Sequence, residues 1–177
     1  MSKVGKTCLV NRFVGYNAPE EYDPTLEDKV CSKILGRDNI LYDVEILDTS
    51  GKEENFKFAS WLYFADGIFL VFSLTDKKSF DDIKRVHEKM KRFKSFSYFP
   101  LILVGNKHDL SDKRQVEFSD AKKLADSWGI EYIETSSITN YNCKESVQRL
   151  IDKIKENNIF KDFNSINKKS CPICIII

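Results

Sequence analysis

Short apolar runs alternate with amphipathic helical stripes along most of this chain, and that alternation restricts the folds open to it. Ile40 to Leu47, Ile68 to Leu74, Leu101 to Val104 and Ile130 to Ile133 read as buried strands, as a parallel sheet covered on both faces requires. Between the second and third, Ser79-Phe80-Asp81-Asp82 reads as an N-cap with an acid at N3. Ile83, Val86, Met90 and Phe93 then recur at helical spacing. Ser119 is expected to cap the next helix, which carries Leu124, Ala125 and Trp128. The last helix carries Val147, Leu150, Ile151 and Ile154, an i, i+3, i+4, i+7 stripe. Val30 to Leu35 alternates moderately and Gly36-Arg37-Asp38-Asn39 turns into Ile40, which predicts one antiparallel hairpin at the sheet edge. Right-handed crossovers between such strands imply a doubly wound α/β fold, mostly parallel, with helices on both faces. Ligands of these folds sit beyond the carboxyl ends of the strands.

That is where the polar motifs fall. Val4-Gly5-Lys6-Thr7 opens the first helix and forms the second half of a phosphate loop. Backbone N–H groups at a helix N-terminus surround phosphates, and glycine lets them approach closely. Lys6 would reach the β- and γ-phosphates, the Cys8 amide lies in the same first turn, and the Thr7 hydroxyl would ligate Mg²⁺. Asp48-Thr49-Ser50-Gly51 ends a strand; Asp48 there can hold Mg²⁺, and the Gly51 N–H can contact a terminal phosphate. Asn106-Lys107-His108-Asp109 ends another. The Asp109 carboxylate can accept from N1–H and N2–H₂ of guanine, a donor pair that adenine lacks. Asn106 adds a polar contact and the Lys107 stem packs beside the base. Glu134-Thr135-Ser136-Ser137, followed by Ile138, closes the base pocket. Each tetrapeptide alone is common in polar turns; four in order, each at a strand-to-helix turn, are not.

Together these residues resemble the Ras-like small GTPases over nearly the whole chain, and so imply a P-loop fold that binds GTP and GDP with Mg²⁺. Glu21-Tyr22-Asp23-Pro24-Thr25-Leu26-Glu27-Asp28 is similar to the family's first switch and effector segment, with Thr25 as its Mg²⁺-ligating threonine. Asp48-Thr49-Ser50-Gly51-Lys52-Glu53-Glu54 is similar to the start of the second switch. The resemblance implies effector proteins, exchange factors and GTPase activators as partners, acting on a monomer.

Several positions depart from the family. Its opening strand, which runs through the middle of the sheet, would precede Met1, so residues 1–157 are expected to be an N-terminally truncated GTP-binding domain. Lys52 stands where the family has its water-positioning glutamine; lysine has donors and no acceptor, so slow hydrolysis is expected. Ser2 and Lys3 replace glycines, where side chains would obstruct an activator's arginine finger. Ala18 and Ile138 replace an aromatic and a lysine that flank guanine. Stacking on a base is worth roughly 1–3 kcal/mol, so faster nucleotide release is expected, with Tyr16 or Tyr22 as compensation. Phe56, Phe58, Trp61, Leu62, Tyr63 and Phe64 make the second switch unusually apolar, and core packing accounts for most of them.

Residues 158–177 read as a flexible tail ending in Cys171-Pro172-Ile173-Cys174-Ile175-Ile176-Ile177. The last four residues fit C-a-a-X, making Cys174 a prenylation site, with geranylgeranyl favoured by the apolar end. Cys171 is a candidate palmitoyl acceptor, the second signal that stable anchoring takes. Five scattered cysteines fit reduced thiols rather than a disulfide framework. A net charge of +1 argues against nucleic acid as a partner. The leading reading is therefore a lipid-anchored, poorly hydrolysing GTPase switch on the cytoplasmic face of a membrane, the plasma membrane first. A non-catalytic pseudo-GTPase that serves as an interaction module is the alternative, and a generic phosphate-loop ATPase is disfavoured by Asn106 and Asp109.

Overall fold

The computed structural model describes residues 3–16, 29–37, 40–49, 65–93, 99–156 and 169–176. In chain order the elements are α1 (Lys6–Val14), β1 (Lys29–Arg37), β2 (Ile40–Asp48), β3 (Gly67–Ser73), α2 (Lys77–Met90), β4 (Leu101–Asn106), α3 (Phe118–Trp128), β5 (Glu131–Glu134), α4 (Cys143–Glu156) and β6 (Lys169–Ile176). A 3₁₀ turn at Ser111–Lys113 follows β4. The sheet order is β1-β2-β6-β3-β4-β5, with β1–β2 antiparallel and every other pair parallel. The predicted edge hairpin is present, in the register Lys29↔Asp48 to Arg37↔Ile40.

β3 and β4 are buried along their whole length, so both faces of the sheet must be covered. Gly67 shows how. A Cβ there would lie 2.9–3.0 Å from Ile154 and Leu150 of α4, so the missing side chain lets that helix seat against β3. Phe72 lies five residues on and therefore on the opposite face, where its ring meets Phe80 of α2 at 4.9 Å. α1 packs with α4, and His87 of α2 stacks on Trp128 of α3. The helices thus form two pairs, one on each face. Burial lowers the His87 imidazole pKa to about 4, with the Lys91 charge acting in the same direction, so this ring is a neutral packing group.

The predicted stripe of the last helix is borne out, with Val147, Leu150, Ile151 and Ile154 all buried. Helix starts differ from expectation. α2 begins at Lys77, two residues before Ser79, and its N-cap is Asp76, whose carboxylate accepts from the Lys78 and Ser79 amides at 3.0 and 3.3 Å. Ser79 is buried inside the first turn, where its hydroxyl donates to the Asp76 carbonyl at 2.7 Å. α3 likewise begins at Phe118 behind Glu117, so Ser119 is helical. Phe93 lies past the end of α2 and still packs on the core.

The largest difference concerns the tail. Lys169–Ile176 is a strand between β2 and β3, the central position that the family resemblance reserves for an opening strand. Its sequence suits that position, because Ile173, Cys174, Ile175 and Ile176 form the unbroken apolar run of a parallel strand. Pro172 falls before the β3 ladder begins at Ile173, where a residue without an N–H is tolerated.

The cap assignment for α2 has a direct check in urea denaturation. Asp76→Ala is expected to cost about 1 kcal/mol, whereas Asp82→Ala, at the acid of the sequence-predicted box, is expected to stay within about 0.5 kcal/mol of the parent.

Candidate functional site

The turns that carry the motifs converge at the carboxyl ends of β2 and β4 and at the start of α1. Gly5 caps α1 at φ 88°, a left-handed conformation that glycine alone adopts without strain. Lys3, two residues earlier, holds φ 71° with a full side chain. Between them Val4 is buried and anchors the turn in the core. Lys6 is buried at the first turn of α1, and Cys8 beside it is half-buried. Burial pushes the Cys8 thiol up, with Asp48 adding to the rise and Lys107 opposing it.

Asp48, the last residue of β2, is 2% exposed and accepts from the Thr7 hydroxyl at 2.6 Å. This joins α1 to the end of the sheet. Carboxylate and hydroxyl oxygens are the hard donors that Mg²⁺ takes, in sites completed by water and phosphate oxygens. Among the described residues no group of three or more His, Cys, Asp or Glu side chains is gathered for a metal. Thr7 and Asp48 place a hydroxyl and a carboxylate oxygen 2.6 Å apart at this end of the fold.

Asn106 ends β4, 1% exposed. Its amide nitrogen donates to the Val4 carbonyl at 3.0 Å and the Gly5 carbonyl at 3.3 Å. Its amide oxygen accepts from the Thr135 and Ser137 hydroxyls at 3.2 and 3.3 Å. One carboxamide therefore ties the phosphate loop to the loop after β5. Asp109 accepts from the Ser136 hydroxyl at 2.5 Å, which draws the turns after β4 and β5 together. Lys107 between them turns the chain at φ 71°. The His108 amide donates to the Thr135 carbonyl and the Thr135 amide to the Gly105 carbonyl, at 3.0 and 2.9 Å. Ile138 is 59% exposed beside this cluster.

Thus Val4, Gly5, Lys6, Thr7, Cys8, Asp48, Asn106, Lys107, Asp109, Ser136, Ser137 and Ile138 lie on adjoining turns at one end of the fold. Thr25, Gly51, Lys52 and the effector segment Glu21, Tyr22, Asp23, Pro24, Leu26, Glu27 and Asp28 lie outside the described residues. So do Ser2, Ala18 and the aromatic residues 56–64. Tyr16 is described and largely exposed. Cys171 and Cys174, the predicted lipid acceptors, fall within the backbone of β6.

Two ties between these elements were not legible in the sequence. Arg12 of α1 donates through Nε to the Ser137 carbonyl at 2.8 Å and through Nη2 to the Ile138 carbonyl at 2.7 Å, fastening the phosphate helix to the base loop. Glu134, at the end of β5, receives both arms of Arg114 at 2.7 and 2.8 Å and the Tyr132 hydroxyl at 2.8 Å. Gly105 makes room for this network, because a Cβ there would come within 2.7 Å of the Tyr132 oxygen. Burial alone would raise the Glu134 carboxyl, but hydrogen bonds from Arg114 and Tyr132 and the Arg114 charge outweigh it and hold the group below its ordinary range. Burial and the neighbouring Glu134 charge push the Tyr132 phenol up, so it stays a donor. His108 stacks on Tyr141 at 4.6 Å, bracing the same loops from outside. The one sequence signal for these ties was charge at strand and turn ends.

Comparison with known proteins gives a consistent match. A family model described as "Ras family" matches residues 1–156. "Ras-like protein RAS2" of Hydra vulgaris is 35% identical over 98% of this chain and 91% of its own length. "Ras-like protein rasX" of Dictyostelium discoideum is 33% identical over 94% of this chain and 84% of its own. "Ras-like protein 1" of Saccharomyces cerevisiae is 32% identical over 94% of this chain, which spans 53% of that protein.

Arg114→Met leaves the Glu134 carboxylate without its cation and is expected to cost about 3 kcal/mol at pH 7, read by urea denaturation. A carboxyl held low in the folded chain contributes fully above its unfolded value, ordinarily 4.5, and loses that contribution as pH falls through the folded value. The gap between wild type and Arg114→Met should therefore narrow below about pH 4.5. A gap that stays constant into acid would contradict the pairing.

Proposed function

Because this chain belongs to the Ras family, whose members are GTP-binding signalling switches, we propose that it is a membrane-anchored guanine-nucleotide switch that exchanges GTP and GDP and hydrolyses GTP slowly. The observation that carries this reading is the Asn106 carboxamide, which holds the phosphate loop and the base loop in one frame. A ligand with a phosphate chain at one end and a base at the other suits that frame.

In this reading Lys6 pairs with the β- and γ-phosphates, and the Gly5, Lys6, Thr7 and Cys8 amides surround them. Thr7 and Asp48 would hold Mg²⁺ with Thr25, and the ion would supply charge neutralisation at the phosphates. Asp109 accepts from the N1–H and N2–H₂ of guanine, while Ser136 keeps its carboxylate turned toward the base. Lys107 covers one face of the base through its stem. Ser137 and Ile138 line the pocket, with their carbonyls held by Arg12. Hydrolysis requires an acceptor for the attacking water, and Lys52 offers none. The chain therefore rests longer in its GTP state, in which the segment Glu21 to Asp28 engages effectors.

Anchoring falls to the tail. No helix among the described residues is long and apolar enough to cross a membrane. Prenylation of Cys174, with palmitoylation of Cys171, would supply the two lipids that stable attachment takes. In this reading residues 1–157 form the switch domain and 158–177 its anchor.

Nucleotide released from the purified chain by acid and separated by chromatography decides the class. Guanine nucleotide is the expected result; none would favour a non-catalytic interaction module, and adenine a general phosphate-loop ATPase. Asp109→Ala removes two charge-assisted hydrogen bonds and is expected to lower guanine-nucleotide affinity by about 10²-fold or more.

Lys52→Gln restores an acceptor and should accelerate single-turnover GTP hydrolysis. No acceleration would count against Lys52 as the cause of slow turnover.

A further inference from the structure

Arg12 sits in the last turn of α1, the helix whose first turn carries Lys6 and Thr7. Its guanidinium is a rigid planar fork. Nε donates to the Ser137 carbonyl and Nη2 to the Ile138 carbonyl, so two consecutive carbonyls after β5 are turned toward α1. In a trans peptide the N–H points away from the C=O. Holding the Ile138 carbonyl therefore also aims the Thr139 amide, which donates to the Ser136 hydroxyl oxygen at 3.1 Å. That hydroxyl in turn donates to Asp109 Oδ1 at 2.5 Å. Each group thus donates to the next, from a charge on the phosphate helix to the carboxylate after β4.

The Ser136 backbone is fixed by other partners. Its amide donates to the Tyr141 carbonyl at 3.0 Å, and its carbonyl accepts from the Cys143 thiol at 3.2 Å. These contacts leave open the rotation of the hydroxyl about Cα–Cβ, which has three staggered positions. The Thr139 amide selects one of them, and from there the hydroxyl proton reaches Asp109. A carboxylate that reads two donors on one edge of a planar base has to lie near the plane of that base. Its rotation therefore matters as much as its presence.

We propose that Arg12 is a positioning residue for guanine: through the Ile138–Thr139 peptide and the Ser136 hydroxyl it sets the rotation of the Asp109 carboxylate. This rests on the guanine-binding role proposed above for Asp109. The same fork fastens base reading to the helix that carries Lys6 and Thr7, so base specificity and phosphate binding share one support. Losing the fork frees the Ile138–Thr139 peptide to turn, the Ser136 hydroxyl to change rotamer, and the carboxylate to leave the plane of the base.

Dissociation constants of GDP and inosine diphosphate, measured with Mg²⁺ on the full chain, test this path. Inosine lacks the 2-amino group, so its diphosphate loses one hydrogen bond to Asp109 and keeps the sugar and phosphates. Wild type is expected to prefer GDP by about tenfold or more. Arg12→Met, which keeps an apolar stem and removes the donors, is expected to narrow that preference by about threefold or more. A purely structural role would weaken both ligands alike and leave the ratio where it was. Ser136→Ala cuts the path one step from Asp109, so in that background Arg12→Met should change the ratio no further. A ratio that Arg12→Met leaves at the wild-type value, or that it lowers equally with and without Ser136, overturns the proposal. If Arg12→Met does not fold, Arg12→Gln, whose single amide cannot span both carbonyls, takes its place with the same expectations. A wild type that binds GDP no better than inosine diphosphate overturns the reading of Asp109 as the guanine contact, and the proposal with it.

Discussion

Asn106 satisfies both ends of its carboxamide inside the protein, and the arrangement of the site depends on that. An amide side chain offers two donor hydrogens and an oxygen with two lone pairs. Here the donors go to the Val4 and Gly5 carbonyls and the oxygen takes the Thr135 and Ser137 hydroxyls. Aspartate has the same shape without the donors, and lysine has donors without an acceptor. Buried at 1% exposure, any group left over would carry a desolvation penalty of roughly 1–3 kcal/mol. The residue thus suits this position because it is fully used, and the two ligand-facing loops inherit its rigidity.

The phosphate turn also needs that grip because its backbone is costly. Lys3 at φ 71° is in the left-handed region, where an L side chain costs roughly 1–2 kcal/mol. Gly5 enters the same region without that cost, and a Cβ on it would run into the Asn106 amide. Val4 buried between them and the two Asn106 hydrogen bonds oppose relaxation of the turn. Lys107, Asn140 and Asn142 also hold positive φ, in the turns after β4 and β5.

Much of the frame was legible because it depends on period. The strand pattern of β2 to β5, the edge hairpin and the stripe of α4 are carried by residues two, or three and four, apart, which a sequence displays directly. Caps were misplaced by two or three residues because Asp76 and Ser79 are both capping types, and only tertiary packing shows that Ser79 is buried within the turn. The motif turns after β2, β4 and β5 were legible, since each follows an apolar run. Their fastenings were not. Arg12 reaches a loop 125 residues away and Arg114 meets Glu134 across 20. A lone arginine on a helix surface reads as solvated until the fold brings carbonyls to it. β6 was hidden by its polar surroundings and by Pro172, which local reading takes as evidence against a central strand.

The position of β6 changes what kind of constraint holds the site together. Most of the fold is fixed by burial of side chains on β3 and β4 against helices on both faces. The link from that core to Asp48 is of another kind. It includes the β6 ladder, the Thr7–Asp48 hydrogen bond, the Lys33 ammonium donating to the Phe13 carbonyl at 2.7 Å and the Lys155 ammonium over the Tyr42 ring. The polar contacts are single, individually worth about 1–3 kcal/mol. The ladder is the extended one among them, and it runs beside the shared core that Val44 and Ile46 enter. The Asp48 backbone, although far from the tail in sequence, is held in register by its pairing with Ile175.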